Sequence, residues 1–142
     1  MAHDSLRKIE KEIALLVRLT TAYSPRFGNL DRSEYLLLSE LDKQSPLAIN
    51  TLAEKLMLNL STASRQVSAL ERKNFIRRFP DPQNGRISLV EMTSEGIDIL
   101  YKVQKARYDV YTEILQDWPN EELNILETHL TRLNRDFKKW SK

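Results

Sequence analysis

The sequence predicts a mainly α-helical chain with one small β-hairpin, and three observations carry that expectation. Glycine and proline are scarce, 3 and 5 of 142 residues, which disfavours a turn-rich all-β sandwich. Apolar residues recur at spacings of three and four along most of the chain. Asn84-Gly85, the strongest two-residue hairpin signal in the sequence, separates two short runs of extended pattern. With 41% hydrophobic and 30% charged residues, one domain with a sizeable core is expected.

The first periodic segment runs from about Ser5 to Tyr23, where Leu6, Ile9, Ile13, Leu16, Thr20 and Tyr23 mark one face of an amphipathic helix. Residues 24–29 read as a loop. Asp31 and Glu34 have capping-box spacing and open a second helix that ends near Lys43. A third, short helix fits Ile49 to Met57, with Leu52, Ala53 and Leu56 inward. Asn59 reads as the N-cap of a fourth helix, Leu60 to Lys73, whose apolar stripe is only Ala63, Val67 and Leu70. Asn74 suits the left-handed conformation that ends helices. Phe75 to Phe79 and Arg86 to Met92 read as the strands of the hairpin, with Asn84 and Gly85 at the two central turn positions. Thr93, with Glu95 nearby, starts a long helix to about Trp118. Beyond Pro119 a last helix carries Leu123, Leu126, Leu130, Leu133, Phe137 and Trp140 in three-four alternation.

Composition excludes several function classes. The chain has no cysteine, which rules out a disulfide scaffold, a thiolate zinc site, an iron–sulfur cluster and a thiol redox sensor. His3 and His129 are its two histidines, too few for a His-rich metal or acid–base centre. No Gly-rich phosphate loop, nucleophile–histidine pair or paired carboxylates in a plausible cleft stand out, so neither enzyme activity, a metal nor a cofactor is expected. The first dozen residues are charged and lack a signal-peptide apolar stretch, and no run approaches the ~18 apolar residues of a membrane span. Both features point to the cytoplasm.

Charge is distributed unevenly. Net charge is only +2, but the segment from Asn50 to Met92 holds seven Lys or Arg against four acids, net +3, while the rest is net −1. An anionic partner for the middle segment follows. There, a short helix, a tight turn and a second helix with a polar outer face make a helix-turn-helix, and the hairpin after it makes a wing. The second helix of such a unit enters the DNA major groove with its N-terminal residues at the base edges. Those residues are Ser61, Thr62, Ser64, Arg65 and Gln66. Arg suits guanine, Gln suits adenine, and the hydroxyls suit bases or phosphates. Arg77, Arg78, Asn84 and Arg86 on the wing are candidates for phosphate or minor-groove contact.

The stretches Leu30–Leu41 (LDRSEYLLLSEL), Leu52–Leu56 (LAEKL), Ser61–Ile76 (STASRQVSALERKNFI) and Asp81–Gly96 (DPQNGRISLVEMTSEG) resemble the winged-helix core of the MarR family of bacterial transcription regulators. The order of helices and wing extends the resemblance over nearly the whole chain. Two positions depart from the family's habit: Asn74 stands where Gly is frequent, and Asn84 stands where Asp usually precedes the wing arginine, here Arg86.

The resemblance implies residues 1–29 as an N-terminal dimerisation helix, 30–92 as the DNA-binding winged helix-turn-helix, and 93–142 as C-terminal dimerisation helices. The apolar stripe of the last helix independently favours a homodimer, which would read a roughly palindromic operator. A repressor is favoured over an activator. Many relatives release DNA when a small, often aromatic and anionic molecule binds between the two parts. The candidate contacts for such an effector are Tyr23, Arg26, Phe27, Tyr108 and Tyr111. A competing reading is a winged-helix module that binds protein; exposed apolar residues at positions 61, 62 and 66 would favour it, and Ser61, Thr62 and Gln66 stand there instead.

Overall fold

The computed structural model describes residues 2–140, with side chains from residue 4 onward, so the side chain of His3 lies outside the described residues. Six α-helices and a small sheet follow in the order α1 (Ala2–Ala22), a 3₁₀ turn (Ser24–Phe27), α2 (Arg32–Lys43), β1 (Leu47–Ala48), α3 (Ile49–Lys55), α4 (Leu60–Arg72), β2 (Ile76–Asp81), β3 (Asn84–Met92), α5 (Ser94–Ile114) and α6 (Asn120–Lys139). This is the winged helix-turn-helix architecture, mainly α, that the sequence predicts.

The core lies where α2, α3, α4, the sheet and the first half of α5 converge. Leu37 and Leu38 of α2, Leu52 of α3, Ala63, Val67 and Leu70 of α4, Val90 of β3 and Leu100 of α5 are all fully buried. α2 starts at the capping box read from the sequence. Asp31 Oδ1 accepts from the Glu34 amide at 2.8 Å, and Glu34 Oε1 accepts from the Asp31 amide at 3.0 Å. Glu34 is the one buried charged residue among the described side chains, and Lys73 at the end of α4 pairs with it. A buried carboxylate needs such a partner, so this pair ties the start of α2 to the end of α4.

Helices α3 and α4 end alike. Met57 (φ 55°) and Asn74 (φ 66°) take the left-handed conformation. After α3, the Leu58 amide donates to Ala53 O at 2.8 Å and Met57 to Glu54 O at 3.2 Å; after α4, Phe75 donates to Leu70 O at 3.1 Å and Asn74 to Glu71 O at 3.0 Å. The sequence placed Asn74 correctly. It carried α3 on to Met57, whereas the helix closes at Lys55 because Met57 reverses the chain into α4.

The sheet departs from expectation in two ways. It has three antiparallel strands in the order β1–β3–β2, not two. β1 pairs Leu47 with Val90 and Ala48 with Leu89, and two residues are too short to leave a periodic signal. The hairpin also turns at Pro82-Gln83 rather than Asn84-Gly85, since Asp81 pairs with Asn84. Proline's fixed φ suits the first corner of a turn, and Asp81 Oδ1 accepts from the Gln83 amide at 2.8 Å to close it. Asn84 and Gly85 therefore begin the return strand. The register then slips between Pro80 (opposite Ser88) and Asp81 (opposite Asn84), so Gly85, Arg86 and Ile87 bulge out unpaired.

At the base of the wing, α5 meets the end of α4. Thr93 Oγ1 donates to Asn74 O at 2.7 Å and accepts from the Gly96 amide at 3.0 Å, while the Thr93 amide donates to Phe75 O at 3.0 Å. A Cβ on Gly96 would lie 2.0 Å from Phe75 O, so the approach requires glycine. α5 closes at Ile114, earlier than the expected Trp118. A turn through residues 115–118 leads to α6, with the Trp118 amide donating to Leu115 O at 3.0 Å. α1 and α6 make only slight contact with the rest of the chain, and no described residue of α6 is buried. No described helix is long and apolar enough to cross a membrane.

Gly96→Ala should destabilise the fold by at least about 2 kcal/mol, because the clash is with backbone that cannot rotate away. Urea denaturation followed by circular dichroism measures this, and a midpoint equal to wild type would refute the packing argument.

Candidate nucleic-acid interface

Helix α4 presents two different surfaces. Ala63, Val67 and Leu70 are sealed in the core, while Ser61 and Arg65 are exposed and Thr62, Ser64 and Gln66 are half-buried. Asn59 organises the first turn: its Oδ1 accepts from the Thr62 amide at 2.8 Å and from Ser61 Oγ at 2.9 Å. Arg65 Nη2 donates to Thr62 Oγ1 at 3.2 Å. The guanidinium is thereby steadied at the outer edge of the helix, with donors left for an acceptor beyond the protein. Gln66 differs from the others. Its Oε1 is buried and has no hydrogen-bond partner among the described residues.

The wing projects beside this helix. Arg86 stands on the bulge, exposed, with no ion-pair partner among the described residues. Its amide donates to Asn84 Oδ1 at 3.2 Å, which shapes the bulge. The other two wing arginines are committed within the molecule. Arg77 pairs with Glu91 across the strands and stacks on Phe79 at 5.3 Å. Arg78 Nη2 donates to Ser68 Oγ at 3.1 Å and lies 3.3 Å from Glu71 Oε1, both on α4. Sequence placed both arginines on the wing but had no way to see these partners, which are brought together only by the fold.

A cavity of about 570 Å³ lies where α1, the 3₁₀ turn, α2 and α5 meet, lined by Thr20, Phe27, Arg32, Arg107 and Tyr111 among others. An apolar groove of about 760 Å³ adjoins it, between α1, α5 and α6, with Leu16, Tyr23, Arg26, Ile114 and Leu130 on its walls. Of the five residues read as effector contacts, Phe27 and Tyr111 line both spaces and their rings lie 5.5 Å apart. Tyr23 and Arg26 line the groove alone. Tyr108 lines neither and is 71% exposed, because it sits on the outer face of α5.

Arg107 was missed. Its guanidinium stacks over Phe27 at 5.0 Å and over Tyr35 of α2 at 4.2 Å, and it has no carboxylate partner among the described residues. The available signal was its place four residues from both Val103 and Tyr111, on the inward face of α5. Gly28 lets the 3₁₀ turn close on this helix: its φ is +104°, and a Cβ there would lie 3.0 Å from Val103 Cγ2.

Comparison with known proteins agrees with this geometry. The family model described as MarR family matches residues 30–88. The uncharacterized HTH-type transcriptional regulator YxaD of Bacillus subtilis (strain 168) is 39% identical over 132 residues, covering 91% of this chain and 92% of its own length. Among solved structures, a MarR family protein from Bacillus stearothermophilus superposes with a TM-score of 0.79 at 18% identity, covering 96% of this chain and 98% of that one. A cysteine-to-serine mutant of MarR from E. coli, complexed with operator DNA, gives a TM-score of 0.66 at 20% identity over 86% of this chain and 95% of that one. The fold is a winged helix-turn-helix, and the family model and the Bacillus subtilis relative make the protein a transcriptional regulator. The chain belongs to the MarR family.

Proposed function

We propose that this protein is a sequence-specific DNA-binding repressor that acts as a homodimer on a pseudo-palindromic operator. The observation that carries the reading is α4 itself. Its core side is fully sealed, and its other side offers Ser61, Thr62 and Arg65 beside a wing that holds Arg86 out on a bulge. In this reading Arg65, with Ser61, Thr62 and Ser64, reads base edges, and Asn84 and Arg86 contact the backbone or minor groove. That a MarR structure from E. coli with the same fold is complexed with operator DNA supports DNA as the partner.

Residues 1–29 and 93–142 serve dimerisation. The support is physical: Leu6, Ile9 and Leu16 of α1 are 61%, 49% and 51% exposed, and Ile114, Leu130 and Phe137 toward the other end are 62%, 44% and 54% exposed. A second copy covers these faces by two-fold symmetry and sets two α4 helices about one DNA turn, ~10 bp, apart. Repression needs no further contact, since a bound dimer excludes other proteins from the DNA it covers. The 570 Å³ cavity takes a small aromatic anion, with Arg107 and Arg32 facing the charge and Phe27 and Tyr111 facing the ring.

Selection of bound sites from a random duplex pool tests the central reading; an enriched inverted repeat is expected, and enrichment of nothing would sink it. On that duplex, Arg65→Ala should cost about 1–3 kcal/mol and relax preference at one base pair. Arg86→Ala should weaken all duplexes with less change in preference. Replacing Leu130 and Phe137 together with Glu should leave a monomer in sedimentation equilibrium. Benzoate should raise the melting temperature of wild type but not of Arg107→Ala; equal shifts would remove Arg107 from the effector site.

A further inference from the structure

We infer that Arg78 is a positioning residue that locks the wing to the recognition helix, rather than a contact to DNA phosphate. This rests on α4 being the DNA-reading helix. Arg78 lies on β2 at the base of the wing, opposite the fully buried Val90 of β3. Its side chain is about one-third exposed, and it turns toward α4 rather than away from the sheet: one nitrogen, Nη2, meets Ser68 Oγ at 3.1 Å and Glu71 Oε1 at 3.3 Å. Ser68 and Glu71 are one turn apart on a single face of α4, so the guanidinium bridges two points of that helix. Ser68 follows Arg65 by three residues. The bridge therefore sits one turn below the side chain that reads bases, and it fixes how far the strand carrying Arg86 swings from Arg65.

Electrostatics separates the two roles. A phosphate-binding arginine adds one positive charge to the interface. Arg78 is balanced by Glu71, and Arg77 by Glu91, so neither pair adds net attraction. Arg65 and Arg86, like Lys55 and Arg72, have no ion-pair partner among the described residues, so their charge is uncompensated.

The two roles predict opposite signs for one substitution. Glu71→Gln removes a negative charge near DNA. If Arg78 served phosphate, freeing it would tighten binding. If Arg78 is a lock, Glu71→Gln loosens the wing and specific binding falls. Affinity is measured for the selected duplex and a scrambled duplex across a salt series, using wild type, Arg78→Gln, Glu71→Gln and the double variant. Expected is a loss of roughly 3- to 10-fold on the selected duplex for each single variant, with the double variant no worse than the poorer single one. The slope of log affinity against log salt should stay at the wild-type value. Tighter binding by Glu71→Gln, or a slope smaller by about 0.9 in Arg78→Gln, would make Arg78 a phosphate contact and overturn the proposal. Hydrogen exchange on the DNA-free proteins gives a readout independent of operator binding. Both single variants should speed exchange across residues 76–92 and leave α2 and α3 unchanged. Unaltered exchange would overturn the lock even if no duplex were preferred, whereas faster exchange without a preferred duplex would uphold the lock and refute only the DNA reading.

Discussion

Phe75 O sits where the end of α4, the start of the wing and the start of α5 meet. It accepts the Thr93 amide, and it lies so close to Gly96 that no side chain fits between. Around it, Asn74 turns the chain out of α4 in the left-handed conformation, and its own carbonyl accepts Thr93 Oγ1. The end of α4, the start of the wing and the first turn of α5 thus share one cluster of backbone contacts. Backbone seams of this kind do not yield by side-chain rotation. A displacement of α5 has to move α4 with it, or break several hydrogen bonds at once. That makes the seam a rigid connection between α5 and the end of α4.

Much of this was legible beforehand because it rests on local rules. The capping box at Asp31 and Glu34, the Asn59 cap, the Asn74 terminator and the three-four stripes each depend on residues a few positions apart. What escaped depends on residues far apart in sequence. β1 exists only because β3 passes beside Leu47 and Ala48. Lys73 finds Glu34 across 39 positions, and Arg107 finds Tyr35 from another helix. The hairpin was a different kind of miss. Two local signals competed there, and the Asp81-Pro82 corner, preset by the proline ring, overrode the Asn84-Gly85 pair.

The interface shows why whole-chain charge was uninformative. The middle segment is net +3, yet three of its seven bases, Lys73, Arg77 and Arg78, are paired with carboxylates in the fold. These pairs shape the reading head by joining α2 to α4, strand to strand, and wing to helix. Arg65 and Arg86 stand exposed with no ion-pair partner among the described residues. Counting charges in sequence weighs all seven alike, whereas the structure separates the three that brace it from the four, Lys55, Arg65, Arg72 and Arg86, that form no ion pair among the described residues.

The bare faces of α1 and α6 carry a consequence for the life of the chain itself. A helix of about 20 residues gains most of its stability from tertiary packing, and little from its own hydrogen bonds. α6 has no buried residue among those described. Whatever covers its apolar stripe therefore also supplies the free energy that keeps it helical. In the dimer proposed above a second copy supplies that cover, so the abundance of the protein would enter the equilibrium of its own folding.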